Sequence, residues 1–296
     1  MSSTLYSKLF LTSYYFTVAI RKKQQEGIIK NCSFKAEYVL PATRANWCAD
    51  PMLVDFDDKT YLFYEAVDGD HGRIEVAQIN DDCTVGTATV LLNDECHYSY
   101  PFVFGHEDEL YMIPESSAAN EVRLYKAKTF PYEWELQSVL LNARAVDTTV
   151  FEQNGKKYLL TFITDGKTER VTPRAYEMHF DDGVSLKELT WAEFDELRVR
   201  GAGGVFEENE KQYRPAQIST EVRYGDALAL YEVNVTDGSY SESFAGELTA
   251  DNVSTKGVHM DGLHTYSTSE HFEAIDIRCR EFDLFKVPRR ILGALK

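Results

Sequence analysis

Short stretches of alternating apolar and polar residues, rich in Phe and Tyr, recur along the chain, and four of them align. They are Asp50-PMLVDFDDKTYLFY-Glu65, Tyr100-PFVFGHEDELYMIP-Glu115, Asp147-TTVFEQNGKKYLLT-Phe162 and Ala202-GGVFEENEKQYRPA-Gln217. Four positions after each start stands an apolar residue: Val54, Phe104, Phe151 and Phe206. Eleven positions after each start stands a tyrosine: Tyr61, Tyr111, Tyr158 and Tyr213. Polar clusters (DDK, HEDE, QNGK, ENEK) fall between the two markers, where a tight hairpin turn belongs. Each unit therefore predicts strand, turn, strand.

Third strands are expected at Arg73–Ile79, Val122–Ala127, Arg174–Phe180 and Ala227–Val233, and fourth strands near Thr87–Leu92 and Trp134–Leu140. The marker tyrosines lie 50, 47 and 55 residues apart. Units of about 40–50 residues with four antiparallel strands are the signature of a β-propeller. A fifth, degenerate unit fits Gly257–Phe285, with strands near Leu263–Ser267 and Phe272–Phe282. The strand-like segment Tyr14–Arg21 is placed to pair with that last unit and remove an open sheet edge. The expected fold is all-β: a five-bladed β-propeller of four-stranded antiparallel blades starting near residues 50, 100, 147, 202 and 259. Five such units nearly exhaust the 296 residues, so one domain is expected over 1–296 although length alone suggests two.

Composition narrows the function. The 31 Lys and Arg against 48 Asp and Glu leave a formal charge of −17, which argues against nucleic acid or an anionic membrane surface as partner. No apolar run is long enough for a spanning helix. The five cysteines, Cys32, Cys48, Cys83, Cys96 and Cys279, include no CxxC pair, so neither a disulfide framework nor a zinc site is expected. The N-terminal stretch lacks a basic n-region and a small-x-small cleavage site, which points to a cytoplasmic protein. The sequons at Asn31, Asn234 and Asn252 then carry no weight. No GxxxxGK or GxGxxG pattern occurs, and no cofactor is expected.

The candidate chemistry follows from the repeat. In a propeller blade the start of the first strand and the end of the second share one end of the central channel. That geometry selects Asp50, Tyr100, Asp147 and Ala202 with Glu65, Glu115, Phe162 and Gln217. Carboxyl groups around a concave mouth are candidate acid–base machinery. Asp147 is the lone charge of an apolar, β-branched stretch, and Glu115 closes an apolar strand where desolvation would raise its pKa. His97 and Tyr100 could stack on or hydrogen-bond to a sugar, and Arg214 could bind an anionic or polar substrate group beside Gln217. His259, Asp261 and His264 could come near the channel axis; they are metal-ligand types, but no metal motif is matched and no metal is expected.

Several motifs occur together in order: Asn46-Trp-Cys-Ala-Asp50-Pro, His97-Tyr-Ser-Tyr100-Pro-Phe, Tyr111-Met-Ile-Pro-Glu115-Ser, Leu124-Tyr-Lys-Ala, Phe130-Pro-x-x-Trp134, Asp147-Thr-Thr and Tyr213-Arg-Pro-Ala-Gln217. Over roughly residues 35–285 the chain resembles the five-bladed propellers related to glycoside hydrolase family 43, within them the N-terminal domain group of glucosamine inositolphosphorylceramide transferase. The resemblance implies a carbohydrate ligand and a role in cell-surface polysaccharide metabolism. It implies Asp50 as general base and Asp147 as the carboxylate that tunes its neighbours. The hydrolases take their acid from the fourth blade, where this chain has Ala202 and Gln217, so Glu115 is the substitute. The expected activity is glycosidase-like cleavage by inversion; the alternatives are sugar transfer in polysaccharide assembly and carbohydrate binding without catalysis.

Overall fold

The computed structural model describes residues 12–282 apart from 168–169, 182, 221–222 and 237. Part of the N-terminal stretch in which no leader signal is read, residues 1–11, lies outside the described residues. Five antiparallel sheets form the blades of a propeller. Blade I runs Asn46–Phe56, Lys59–Asp68, His71–Gln78 and Thr89–Leu92 from the channel outward. Blade II runs Ser99–His106, Glu109–Glu115, Val122–Thr129 and Glu133–Leu141. Blade III runs Ala145–Gln153, Lys156–Thr164, Val171–His179 and Ser185–Leu189. Blade IV runs Phe206–Glu208, Lys211–Thr220, Arg223–Thr236 and Ser239–Thr249.

The marker residues explain the register. Val54 faces Tyr61, Phe104 faces Tyr111, Phe151 faces Tyr158 and Phe206 faces Tyr213, one cross-strand pair per hairpin. The turns between them use residues with positive φ: Asp57 and Asp58, Glu107, Asn154 with Gly155, and Asn209 with Glu210. Such turns match the right-handed twist of the strands that they join.

Blade V departs from the other four. Its innermost strand is broken into Met260–Gly262 and Tyr266–Thr268, both paired with Phe272–Phe282. Thr12–Lys22 pairs with Phe272–Phe282 along its whole length, from Thr12↔Phe282 to Lys22↔Phe272. This strand closes the ring as its third member, and Tyr38–Val39 lies outside it. Val18, Ala19 and Ile20 are fully buried there. Apolar side chains of neighbouring blades interlock, as where Phe63 and Tyr61 of blade I meet Phe130 and Trp134 of blade II. Among the described residues no helix is long and apolar enough to cross a membrane.

Candidate active site

The four carboxyl groups singled out by register, Asp50, Glu65, Glu115 and Asp147, gather at one end of the channel, and unusual backbone puts two of them there. Asp50, Tyr100 and Asp147 hold equivalent places on the innermost strands of blades I, II and III, and all three have positive φ (52°, 45° and 51°). Each sits in a β-bulge, between Ala49 and Met52, Ser99 and Phe102, and Val146 and Thr149. A bulge re-aims a side chain out of the regular alternation. Left-handed backbone at a non-glycine residue costs about 1–3 kcal/mol and persists where surrounding contacts over-determine it.

Those contacts form a chain around the channel from blade to blade. The Asp50 N–H donates to Asp276 Oδ2 of blade V at 3.1 Å. The Tyr100 N–H donates to Asp50 Oδ2 at 3.2 Å, and Thr265 Oγ1 donates to Asp50 Oδ1 at 2.9 Å. The Tyr100 hydroxyl accepts the Gly203 N–H at 2.7 Å and lies 3.1 Å from Thr149 Oγ1.

Charge is concentrated inside this ring. Burial, with Glu65, Asp276 and Asp147 nearby, pushes the Asp50 carboxyl up to about 8 against the pull of His264. Burial and Asp147 push Glu115 up to about 7, while Arg200 and a 2.9 Å hydrogen bond from the Ser117 hydroxyl hold it down. Arg200 Nε donates to Asp147 Oδ2 at 2.5 Å, and Arg200 Nη2 lies 3.9 Å from Glu115 Oε2. One guanidinium thus serves carboxylates from blades II and III. Glu65 completes the group: its Oε1 lies 3.0 Å from His97 Nε2. His97 Nδ1 accepts the Gly72 N–H at 3.0 Å, which places the ring proton on Nε2. The bond to Glu65 raises the His97 pKa against the effect of burial.

His264 lies beneath Asp50. Its Nε2 is 3.7 Å from Asp50 Oδ1, and its Nδ1 is 2.5 Å from Asp276 Oδ2, a close contact without hydrogen-bond alignment. Burial alone would lower its pKa; Asp276 and Asp50 reverse that and raise it. Asp276 Oδ1 also accepts the His264 and Thr265 N–H groups at 2.9 Å each. Ligand atoms of Asp50, His264 and Asp276 all lie within 4.8 Å of one another, so this trio could hold a divalent cation.

The remaining expectations fare differently. Gln217 reaches the site: its Nε2 lies 3.5 Å from Asp147 Oδ2 and donates to the Gly201 carbonyl at 2.8 Å. Tyr100 is a correction, because its ring is fully buried and its hydroxyl already engaged; it supports Asp50 through its N–H. Arg214 is a correction too. It forms a two-pronged pair with Glu242, both bonds 2.9 Å, and lies among Phe162, Trp191 and Tyr231 between blades III and IV. It stands three residues before Gln217 on an extended strand, about 10 Å along it. Asp261 is a further correction, bound to Arg278 Nε at 2.8 Å and to Arg280 Nε at 2.7 Å on the flank of blade V. His259 is exposed and precedes the broken inner strand. Of that segment only His264 enters the site.

Arg200, Asp276 and Tyr224 escaped the sequence reading. The Tyr224 ring lies 5.2 Å from the Arg200 guanidinium and 4.9 Å from the His264 ring. Burial raises its hydroxyl pKa well above the usual value, helped by Asp147, Asp50 and Glu115. Asp276 carried a legible signal, a lone carboxylate between two isoleucines on a central strand.

Comparison with known proteins bears on the family and the fold. The family described as glucosamine inositolphosphorylceramide transferase 1, N-terminal, matches residues 28–266. Glucosamine inositolphosphorylceramide transferase 1 of Oryza sativa subsp. indica is 31% identical over 212 residues, covering 67% of this chain and 28% of that protein. The Arabidopsis thaliana protein of the same name is 35% identical over 121 residues, 39% of this chain and 16% of that one. The chain thus spans at most about 28% of the length of these relatives. Among solved structures, the α-L-arabinofuranosidase PaAbf62A of Podospora anserina superposes with TM-score 0.61 at 9% identity, covering 85% of this chain and 98% of that one. A family 43 β-xylosidase/α-arabinofuranosidase from a compost metagenome gives 0.55 at 15% identity, covering 82% and 92%. At such identities the structural likeness speaks for the fold.

Proposed function

The chain belongs to the glucosamine inositolphosphorylceramide transferase 1 N-terminal domain family, and on that premise we propose that its channel mouth binds a sugar or sugar conjugate and acts on a glycosidic bond through Asp50 and Glu115. The observation that carries this reading is that two carboxyl groups from adjacent blades are both pushed toward neutral pH at one mouth. A donor works best when its pKa lies near the working pH, and Glu115, at about 7, fits that role. Asp50 is the acceptor that activates water or an acceptor hydroxyl. Both its oxygens receive hydrogen bonds, and His264, whose own pKa is raised by Asp276 and Asp50, is the neighbour that pulls it toward its ionised form. Asp147, gripped by Arg200, fixes the guanidinium that faces Glu115.

The test is a panel of aryl glycosides and cell-surface polysaccharide fragments against wild type, Asp50→Asn and Glu115→Gln. Each variant should lose about 100- to 10,000-fold in turnover. A good leaving group should rescue Glu115→Gln and leave Asp50→Asn impaired. Equal loss on activated and natural substrates removes Glu115 from the donor role. A second reading, sugar binding without turnover, is favoured by Gln217, an amide where the resemblance calls for a carboxyl. Saccharide binding by a wild type that cleaves and transfers nothing decides for it.

A further inference from the structure

Beside Asp50 lies a group of aromatic rings that the carboxyl chemistry does not use. Trp47 opens the innermost strand of blade I, three residues before Asp50. Phe16 comes from the closing strand of blade V, and Tyr224 from the blade IV strand Arg223–Thr236. Phe16 lies between the other two, its ring centroid 6.1 Å from Trp47 and 6.3 Å from Tyr224. It also stacks on His264 at 4.4 Å, and His264 reaches Asp50. The set is therefore continuous with the carboxyl site.

Three large rings from three blades meet here, and none is fully buried. The hairpin bearing Tyr224 is fastened down: Arg278 Nη1 donates to the Tyr224 carbonyl, and Arg278 Nη2 donates to Asp226 at 3.0 Å. Gly225, at φ +65°, brings the backbone so close that a Cβ would stand 3.1 Å from His264 Cβ. A rigid, partly buried aromatic surface beside hydrogen-bonding groups suits a ligand with an apolar face and a polar rim. A pyranose ring has that form, with C–H bonds on its face and hydroxyls at its edge.

We propose that Phe16, Trp47 and Tyr224 form the wall on which a pyranose ring of the ligand stacks, holding its edge toward Asp50. This rests on the sugar reading above and adds to it the ring form and the surface that receives it. Trp47 supplies a direct reporter. Of the three tryptophans, Trp191 is buried against Tyr240 and Trp134 packs on Phe63 and Phe130 near the hairpin turns, so Trp47 alone adjoins the site.

The test titrates methyl pyranosides of gluco, galacto and manno configuration, their 2-amino counterparts and methyl α-L-arabinofuranoside, by calorimetry and by tryptophan fluorescence. A pyranoside should bind wild type and change its fluorescence. Trp47→Phe keeps a ring, so affinity should stay within about twofold while the response disappears; Trp47→Ala should bind about tenfold more weakly. A fluorescence response that survives Trp47→Phe overturns the wall and leaves the sugar site standing. So does wild-type affinity in a folded Trp47→Ala, or a preference for the furanoside over every pyranoside. If no saccharide binds the wild type, both readings fall.

Discussion

Asp50→Asn should make the protein more stable in mild alkali and flatten its dependence on pH. In the fold the Asp50 carboxyl titrates at about 8, against an ordinary value of 3.8. Between those limits the folded chain holds a proton that the unfolded chain has released. Stability from this group is therefore fully present below about pH 4 and lost as pH rises through about 8. Each pH step of one across that window costs about 1.4 kcal/mol, so about 4 kcal/mol disappears between pH 5 and pH 8. That is a large share of the 5–15 kcal/mol typical of a domain. Asparagine removes the titration, keeps an acceptor for the Tyr100 N–H, and tolerates positive φ. The assay is chemical denaturation of both proteins at intervals from pH 5 to pH 8.5. The wild-type curve should fall more steeply by about one proton, and the variant should be several kcal/mol more stable at pH 8.5. Parallel curves would show that Asp50 is ionised in the fold at neutral pH, and the reasoning would fail.

Four further outcomes follow from the geometry. Arg200→Gln removes the cation that lowers Glu115, so the Glu115 carboxyl should titrate at higher pH in a ¹³C NMR titration; an unmoved midpoint refutes the coupling. Arg214→Met leaves Glu242 buried without its partner and should cost about 3–5 kcal/mol of stability, with saccharide affinity of the folded protein unchanged by calorimetry. Gly203→Ala should lower the melting temperature sharply, since its Cβ would meet the Tyr266 carbonyl at 1.8 Å on backbone at φ +126°; a wild-type melt refutes that packing. Turnover should be bell-shaped in pH with limbs near 7 and 8, because Glu115 must keep its proton and Asp50 lose its own; a flat profile from pH 6 to 9 excludes the pair.

How far the sequence could be read depended on which signals are local. The four hairpins were legible because their Phe/Tyr pairs and turn residues repeat in one register, and that register carried Asp50, Glu115 and Asp147 to one end. The outer strands Ser185–Leu189 and Ser239–Thr249 were not foreseen, since strands open to solvent on their outer side lose the apolar alternation. Blade V hid Asp276 because its inner strand is broken and no tyrosine marks its register. Arg200 sits in irregular chain before a strand of only three residues, Phe206–Glu208, where periodicity says nothing. Arg214 shows a different limit. Both faces of a propeller blade are covered by its neighbours, so burial of a charged residue does not separate the channel from an inter-blade seam; only height along the strand does.

The closing of blade V also sets a timetable for making the protein. Phe16 pairs with Arg278, so 262 residues separate the two sides of the seam. At about 5–20 residues per second, the first strand leaves the ribosome roughly 10–50 s before its partner exists. Through that interval Val18, Ala19 and Ile20, fully buried in the finished ring, have no blade to enter. Four blades can fold in order as they emerge, but the ring cannot lock until the last is made, and the waiting strand is the segment that a chaperone would most need to shield.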